Sequence, residues 1–264
     1  MKNFLYILFS EVKRFFTIKE YRTLLLLALK YGGGQRNEKK EVKFNGHTFT
    51  IADFKSFFLQ YKQIYVDKCY QFNTKDKNPV ILDCGANVGL SALFFSRYYP
   101  SAKIVAYEAD AMVFKYLNSN IQNNNMKNVQ AVQKAVWISN AGITFLSEGA
   151  DGGAICTEGT AVESIALKEE MEKYKSISLL KMDIEGAVVE VIKSVKDVLH
   201  KCENVFIEYR SLSDKQQHLH ELLTLLFNNG FRYCLKEKVV LSQPFVTKEN
   251  PGPVDMHINI FAYK

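Results

Sequence analysis

The stretch Asp83-Cys84-Gly85-Ala86-Asn87-Val88-Gly89 constrains this chain most. It follows the apolar run Val80-Ile81-Leu82 and precedes the apolar-rich Leu90 to Tyr99, a pattern of strand, glycine turn and helix. A second run, Ile104-Val105-Ala106-Tyr107, ends in Glu108. A glycine turn after a first strand, followed by an acid after the next strand, marks a site for a dinucleotide or nucleoside cofactor.

The glycine spacing separates the cofactors. Nicotinamide enzymes favour G-x-G-x-x-G, in which the backbone approaches a pyrophosphate closely at a helix N-terminus. Here the turn holds only Gly85 and Gly89, and Asn87 stands where the second glycine belongs. S-adenosylmethionine needs no pyrophosphate cradle, only a tight turn for its amino-acid end and a carboxylate for its ribose. Asp83 at the strand end is expected to meet the methionyl ammonium directly or through water, and Glu108 to accept the ribose hydroxyls.

A chain of 264 residues has room for one large domain and an appendage. Its five cysteines (Cys69, Cys84, Cys156, Cys202, Cys234) lie far apart and form no C-x-x-C pair, which argues against a disulfide framework or zinc knuckle. A reducing, cytoplasmic setting is therefore expected. Residues 1–77 carry 15 Lys and Arg against 7 Asp and Glu, whereas the rest carries 19 against 21. The net charge of +6 thus belongs to the N-terminal segment, which can attract nucleic acid, anionic lipid or an acidic partner.

Residues 3–31 read as helical and apolar, yet charges interrupt them before any run reaches the ~18–20 residues of a membrane span. A pair of helices is expected, packed on the core, self-associating as a homodimer, or peripheral to a membrane. A secretory signal is disfavoured. Asn45-Gly46 between alternating apolar residues predicts a β-hairpin. Residues 53–72 predict an aromatic helical stretch covering one mouth of the domain. From Pro79 onward, strands at 80–84, 103–107, 129–136, 177–183 and 204–209 alternate with helices at 89–98, 111–123, 168–174, 186–199 and 215–228. An extra strand at 144–146, a loop at 150–154, a strand at 162–166 and closing segments at 232–241 and 257–263 complete the reading. The expected architecture is α/β: an N-terminal extension over 1–77, then over 78–264 a mostly parallel seven-stranded sheet with helices on both faces. Ligands then sit at the carboxyl ends of the strands.

A second motif, Leu179-Leu180-Lys181-Met182-Asp183-Ile184-Glu185-Gly186-Ala187, brings two carboxylates and a glycine from an apolar strand to the start of a helix. Asp183 and Glu185 there can accept a substrate proton, bind a divalent ion or hold the cofactor. No ligand spacing identifies a metal site, and none is assigned.

Together the two motifs and Glu108 resemble the FkbM family of S-adenosylmethionine-dependent methyltransferases over roughly residues 75–235. The resemblance implies a class I, Rossmann-like methyltransferase fold and mostly O-methylation of sugars, glycans or natural products. It implies a cofactor-contacting set at Asp83, Gly85, Ala86, Asn87, Gly89, Glu108 and Ala109. It also places Asp183 and Glu185 at the family's acidic strand-end motif. Two departures stand out. Ala109 follows the ribose acid where the family often has Pro. Glu208-Tyr209-Arg210 stands where it often has Glu-Tyr-His, and arginine cannot act as a base. Arg210 is left to pair with a nearby acid or to bind an anionic acceptor.

The expected chemistry is in-line methyl transfer to an acceptor oxygen, with Asp183 as first candidate base, Glu185 and Glu208 behind it, and His257 further out. The segments 143–162 and 236–257 are expected to line the acceptor pocket. A nucleic-acid methyltransferase is less favoured because no Asn-Pro-Pro-Tyr-like motif occurs. A non-catalytic cofactor-binding module is the other alternative.

Overall fold

The computed structural model describes residues 13–33, 35–146, 154–155, 159–239 and 254–264. Residues 3–12 of the expected helical stretch, half of the expected acceptor segment 143–162 and most of 236–257 lie outside these residues. After a helical turn at 13–17, helix α1 (Lys19–Tyr31) leads to the hairpin β1 (Lys40–Phe44) and β2 (His47–Ile51). Asn45 and Gly46 both adopt positive φ, as a two-residue hairpin turn requires. Helix α2 (Phe54–Tyr61), whose first turn is capped by the Asp53 carboxylate at Ser56 N, runs into a π-helical turn at Lys62–Val66. The aromatic helix therefore ends earlier than the expected 72.

The main sheet joins β3 (Val80–Cys84), β4 (Lys103–Tyr107), β5 (Val129–Val132), β11 (Ile177–Met182), β12 (Cys202–Leu212), β13 (Arg232–Val239) and β14 (Val254–Tyr263). Its order is β13-β14-β12-β11-β3-β4-β5. The strands from β5 to β12 are parallel, and β14 is antiparallel to both β12 and β13. Helices α3 (Leu90–Tyr98), α4 (Ala111–Asn123), α5 (Leu167–Glu172), α6 (Val188–Ser194) and α7 (Leu219–Asn228) provide the crossovers and flanks. The small strands β7 (Ile143–Leu146), β8 (Ala154–Ile155) and β9 (Thr160–Val162) form a separate sheet. Among the described residues, no helix is long and apolar enough to cross a membrane.

One expected strand divides. Residues 129–136 split into β5, on the sheet edge, and β6 (Ala135–Trp137), which leaves the sheet to pair in parallel with β10 (Ser164–Ala166). The Ala135 N–H donates to the Glu163 carbonyl at 2.9 Å, so the chain changes partner within three residues.

Side chains alternate across the sheet, which gives it two apolar faces. Leu82, Val105, Leu180, Val205 and Ile207 pack under α5, α6 and α7. On the other face, Ile81, Ile104, Leu179 and Phe206 meet α3 together with the hairpin, α1, α2 and the π-turn. The N-terminal segment therefore shares this face with α3 and also lines the mouth. Phe44 is its centre, with ring centroids 5.4 Å from Tyr61 and 5.6 Å from both Phe49 and Phe57. Buried aromatic side chains of this size each contribute several kcal/mol, roughly 3–5 on truncation.

The hairpin is also bonded to α4. Buried Asn120 accepts from Thr50 N and donates to the Thr50 and Val88 carbonyls, each at 2.8 Å. Asn124 repeats the pattern one turn later against Thr48. Two side-chain amides thus satisfy a strand edge that would otherwise be buried without partners.

Candidate active site

At the carboxyl ends of β3, β4, β11 and β12 lies a cavity of about 730 Å³, with the π-turn, β13 and β14 along its other side. Gly85, Ala86 and Asn87 of the Asp83–Gly89 turn form its floor. Gly85, Asn87 and Gly89 have φ of 82°, 50° and 91°, so every second residue of the turn is left-handed. Asparagine tolerates this conformation, which explains Asn87 at the position where a dinucleotide fingerprint has glycine. A Cβ at Gly85 would lie 1.9 Å from the Asp183 carbonyl oxygen. Gly85 is therefore required for the close approach of the two strand ends.

The turn keeps its own donors occupied. Gly85 N and Ala86 N donate to the Tyr107 carbonyl at 3.1 and 2.8 Å, and Gly89 N donates to the Ala86 carbonyl at 2.9 Å. Asn87 N donates to Glu108 Oε2, and Asp110 N donates to Glu108 Oε1, both at 2.9 Å. These N–H groups are committed within the fold, and the carboxylates Glu108 and Asp110 line the same wall. With these donors occupied the turn offers no cradle for a pyrophosphate, whereas S-adenosylmethionine needs none. Each Glu108 oxygen keeps a further acceptor position for a ribose hydroxyl. Burial raises the Glu108 carboxyl to about 7, with the two backbone donors opposing it and the neighbouring Asp110 charge reinforcing it.

Gly85, Ala86, Asn87, Glu108 and Ala109 line the cavity, whereas Asp83 and Gly89 do not. Asp83 is fully buried, with Oδ1 2.9 Å from Lys181 Nζ and Oδ2 accepting from Ser91 Oγ at 2.6 Å. The Asp83 oxygens therefore face the buried lysine and helix α3, beneath the cavity in which a methionyl ammonium is expected to meet Asp83 directly or through water. Gly89 caps α3, and a Cβ there would lie 2.7 Å from Leu117 Cδ1. Both residues shape the turn from beneath.

Asp183, Glu185 and Glu208 all line the cavity. Asp183 N donates to the Cys84 carbonyl at 3.0 Å, and Lys181 Nζ lies 3.6 Å from Asp183 Oδ2. Burial and then the Glu208 charge raise the Asp183 carboxyl above its ordinary value, against the pull of Lys181, Lys238 and Arg210. Glu208 behaves oppositely. Burial alone would raise it, but the His257 hydrogen bond and the Lys238 and Arg210 cations hold it well below the usual carboxylate range. Its Oε1 lies 2.8 Å from both His257 Nε2 and Arg210 Nη2, and its Oε2 pairs with Lys238. Arg210 also pairs with Glu185, so it bridges two acids at the cavity wall.

His257 and Lys238 are central where the sequence suggested little. His257 stands opposite Arg210 in the β12–β14 register. Lys238 sits at a register shift between Glu237 and Val239. A bulge of this kind re-aims a side chain, here toward Glu208. Among the described residues, no group of three or more His, Cys, Asp and Glu side chains is arranged to hold a metal ion.

A mostly parallel seven-stranded sheet with this order, and an acid-lined cavity at its strand ends, are those of a class I S-adenosylmethionine-dependent methyltransferase. The chain belongs to the FkbM family: the Methyltransferase FkbM domain matches residues 83–233. Methyltransferase sdnD of Sordaria araneosa is 30% identical over 192 residues, covering 56% of this chain and 72% of that protein. The 2-O-methyltransferase NoeI of Sinorhizobium fredii is 26% identical over 175 residues, covering 56% of this chain and 71% of that protein. Among solved structures, a SAM-dependent methyltransferase from Agrobacterium tumefaciens shares the fold, with a TM-score of 0.52 and 11% identity over 89% of this chain and 72% of that one.

Proposed function

We propose that this chain transfers the methyl group of S-adenosylmethionine to a hydroxyl oxygen of a sugar, glycan or natural product, with Asp183 as the general base. Residues 78–264 are the catalytic domain in this reading, and residues 1–77 are an extension that closes the acceptor side. The observation that carries the proposal is the pair Asp183 and Glu208: one carboxylate just past the end of β11 and one on β12 just past its last residue paired with β11, opening to one cavity, with their carboxyls moved in opposite directions by their surroundings. Environments that push two acids apart assign them different tasks.

The cofactor, when bound, supplies an activated methyl on its sulfonium. Glu108 orients it by accepting the ribose hydroxyls, and Gly85, Ala86, Asn87 and Ala109 pack against it. A hydroxyl must lose its proton as its oxygen attacks. Asp183, whose affinity for a proton is raised, suits that step better than an ordinary carboxylate. Glu208 stays ionised and fixes Arg210, Lys238 and His257 around the acceptor side. Glu185 holds the other side of Arg210. The relative named as a 2-O-methyltransferase supports an oxygen acceptor.

The test is incubation with methyl-labelled S-adenosylmethionine and a panel of oligosaccharides and hydroxylated small molecules. Label on an acceptor oxygen supports the reading, and Asp183→Asn should then lose about 10²–10⁴-fold in kcat while binding S-adenosylhomocysteine as tightly as the wild type. Near-wild-type turnover in Asp183→Asn removes this residue as the base. Label on nitrogen overturns the O-methylation.

A further inference from the structure

The outer face of α1 is built unlike the surface of an ordinary soluble helix. Leu24 and Leu27 are buried against the aromatic cluster. Lys19, Arg22, Leu26 and Leu29 recur at the spacing of one helical face, on the side away from that cluster. Leu26 is 62% exposed and Leu29 is 85% exposed. The preceding turn adds Phe15 and Phe16, also exposed, with rings edge to face at 5.2 Å. Arg22 fastens that turn to the same face, because its Nη1 donates to the Phe15 and Phe16 carbonyls at 3.3 and 2.8 Å.

The charge on this segment is predominantly positive. Residues 13–33 carry Lys13, Arg14, Lys19, Arg22 and Lys30 against the single acid Glu20. Glu20 does not share the stripe of Leu26 and Leu29. We infer that this face of α1, with Phe15 and Phe16, docks on an anionic lipid surface. Exposed large apolar side chains rimmed by lysine and arginine match a headgroup boundary, where the apolar groups enter the acyl region and the cations meet the phosphates. A second copy of the chain is a poorer occupant, since a two-fold contact would set this cationic face against itself. Nucleic acid would complement the charge and leave the leucines and phenylalanines unburied. Helix α1 packs on α2 and the π-turn, and Leu59 and Lys62 from those elements line the cavity.

The experiment is co-sedimentation of the full chain with vesicles of phosphatidylcholine alone or mixed equally with phosphatidylglycerol, together with sedimentation equilibrium without lipid. The chain should bind the phosphatidylglycerol vesicles at least about tenfold more tightly than phosphatidylcholine alone, and less so as salt rises. Leu26→Gln with Leu29→Gln should weaken that binding at least about tenfold while S-adenosylhomocysteine affinity is unchanged, since both side chains are exposed. Three results would overturn the inference: no preference for phosphatidylglycerol, binding that the double variant leaves intact, or a lipid-free dimer that the double variant dissociates.

Discussion

Lys181 Nζ lies 2.9 Å from Asp83 Oδ1, with both side chains at the centre of the sheet and essentially without exposure. The two residues are register partners on β11 and β3, so the ion pair ties the two sequence motifs together. Lys181 also donates to the Gly85 carbonyl at 2.8 Å. One ammonium therefore braces the cofactor turn and faces Asp183.

Lys181→Met would leave the Asp83 carboxylate buried with only Ser91 as a partner. Breaking a buried pair in this way costs about 3–5 kcal/mol. The double variant Lys181→Met with Asp83→Leu should recover part of the loss, because the fully buried Asp83 charge is gone while Asp183 still loses the ammonium that faces it. Urea unfolding of the three proteins measures both effects. Equal stability of the single variant and the wild type would contradict the bracing role.

Asn120→Ala should destabilise by about 2–3 kcal/mol, since it removes three hydrogen bonds and leaves Thr50 and Val88 backbone groups without them. Amide exchange at Thr50 should quicken together with exchange across the cofactor turn, because Asn120 joins hairpin to turn. A local effect at Thr50 alone would show that the two are separate.

Glu108 has its carboxyl raised to about 7 from 4.5. Between those values the folded chain holds a proton that the unfolded chain has released, so stability falls as pH rises through that window. Glu108→Gln should remove this part of the slope. The ribose hydroxyls donate to the ionised carboxylate, so S-adenosylhomocysteine affinity should rise from about pH 6 to about pH 8 with proton release, and Glu108→Gln should flatten the rise. Calorimetry in two buffers of different ionisation enthalpy measures the proton. A wild-type affinity independent of pH would contradict the assignment.

The sequence made the strand–turn–helix units legible because apolar runs end in glycine or an acid, and β3, β4 and α4 fall at their expected bounds. The division of 129–136 was not legible, since Gln133 and Lys134 carry no turn signal and the partner of β6 lies some thirty residues on. The place of Asp83 in the motif is visible in the sequence, and its buried partner is not. A signal did exist in Lys181, a charge within an apolar strand that must find an opposite charge when buried. His257 and Lys238 depended on antiparallel register and on a bulge, neither of which local periodicity encodes.

The most direct measurement is calorimetric titration of the chain and of Glu108→Ala with S-adenosylmethionine, S-adenosylhomocysteine and NAD. The carboxylate-walled cavity predicts binding of the first two, none of NAD, and at least a tenfold loss in Glu108→Ala, about 1.4 kcal/mol. Binding of NAD alone, or S-adenosylmethionine binding that Glu108→Ala leaves unchanged, would contradict the account of the site.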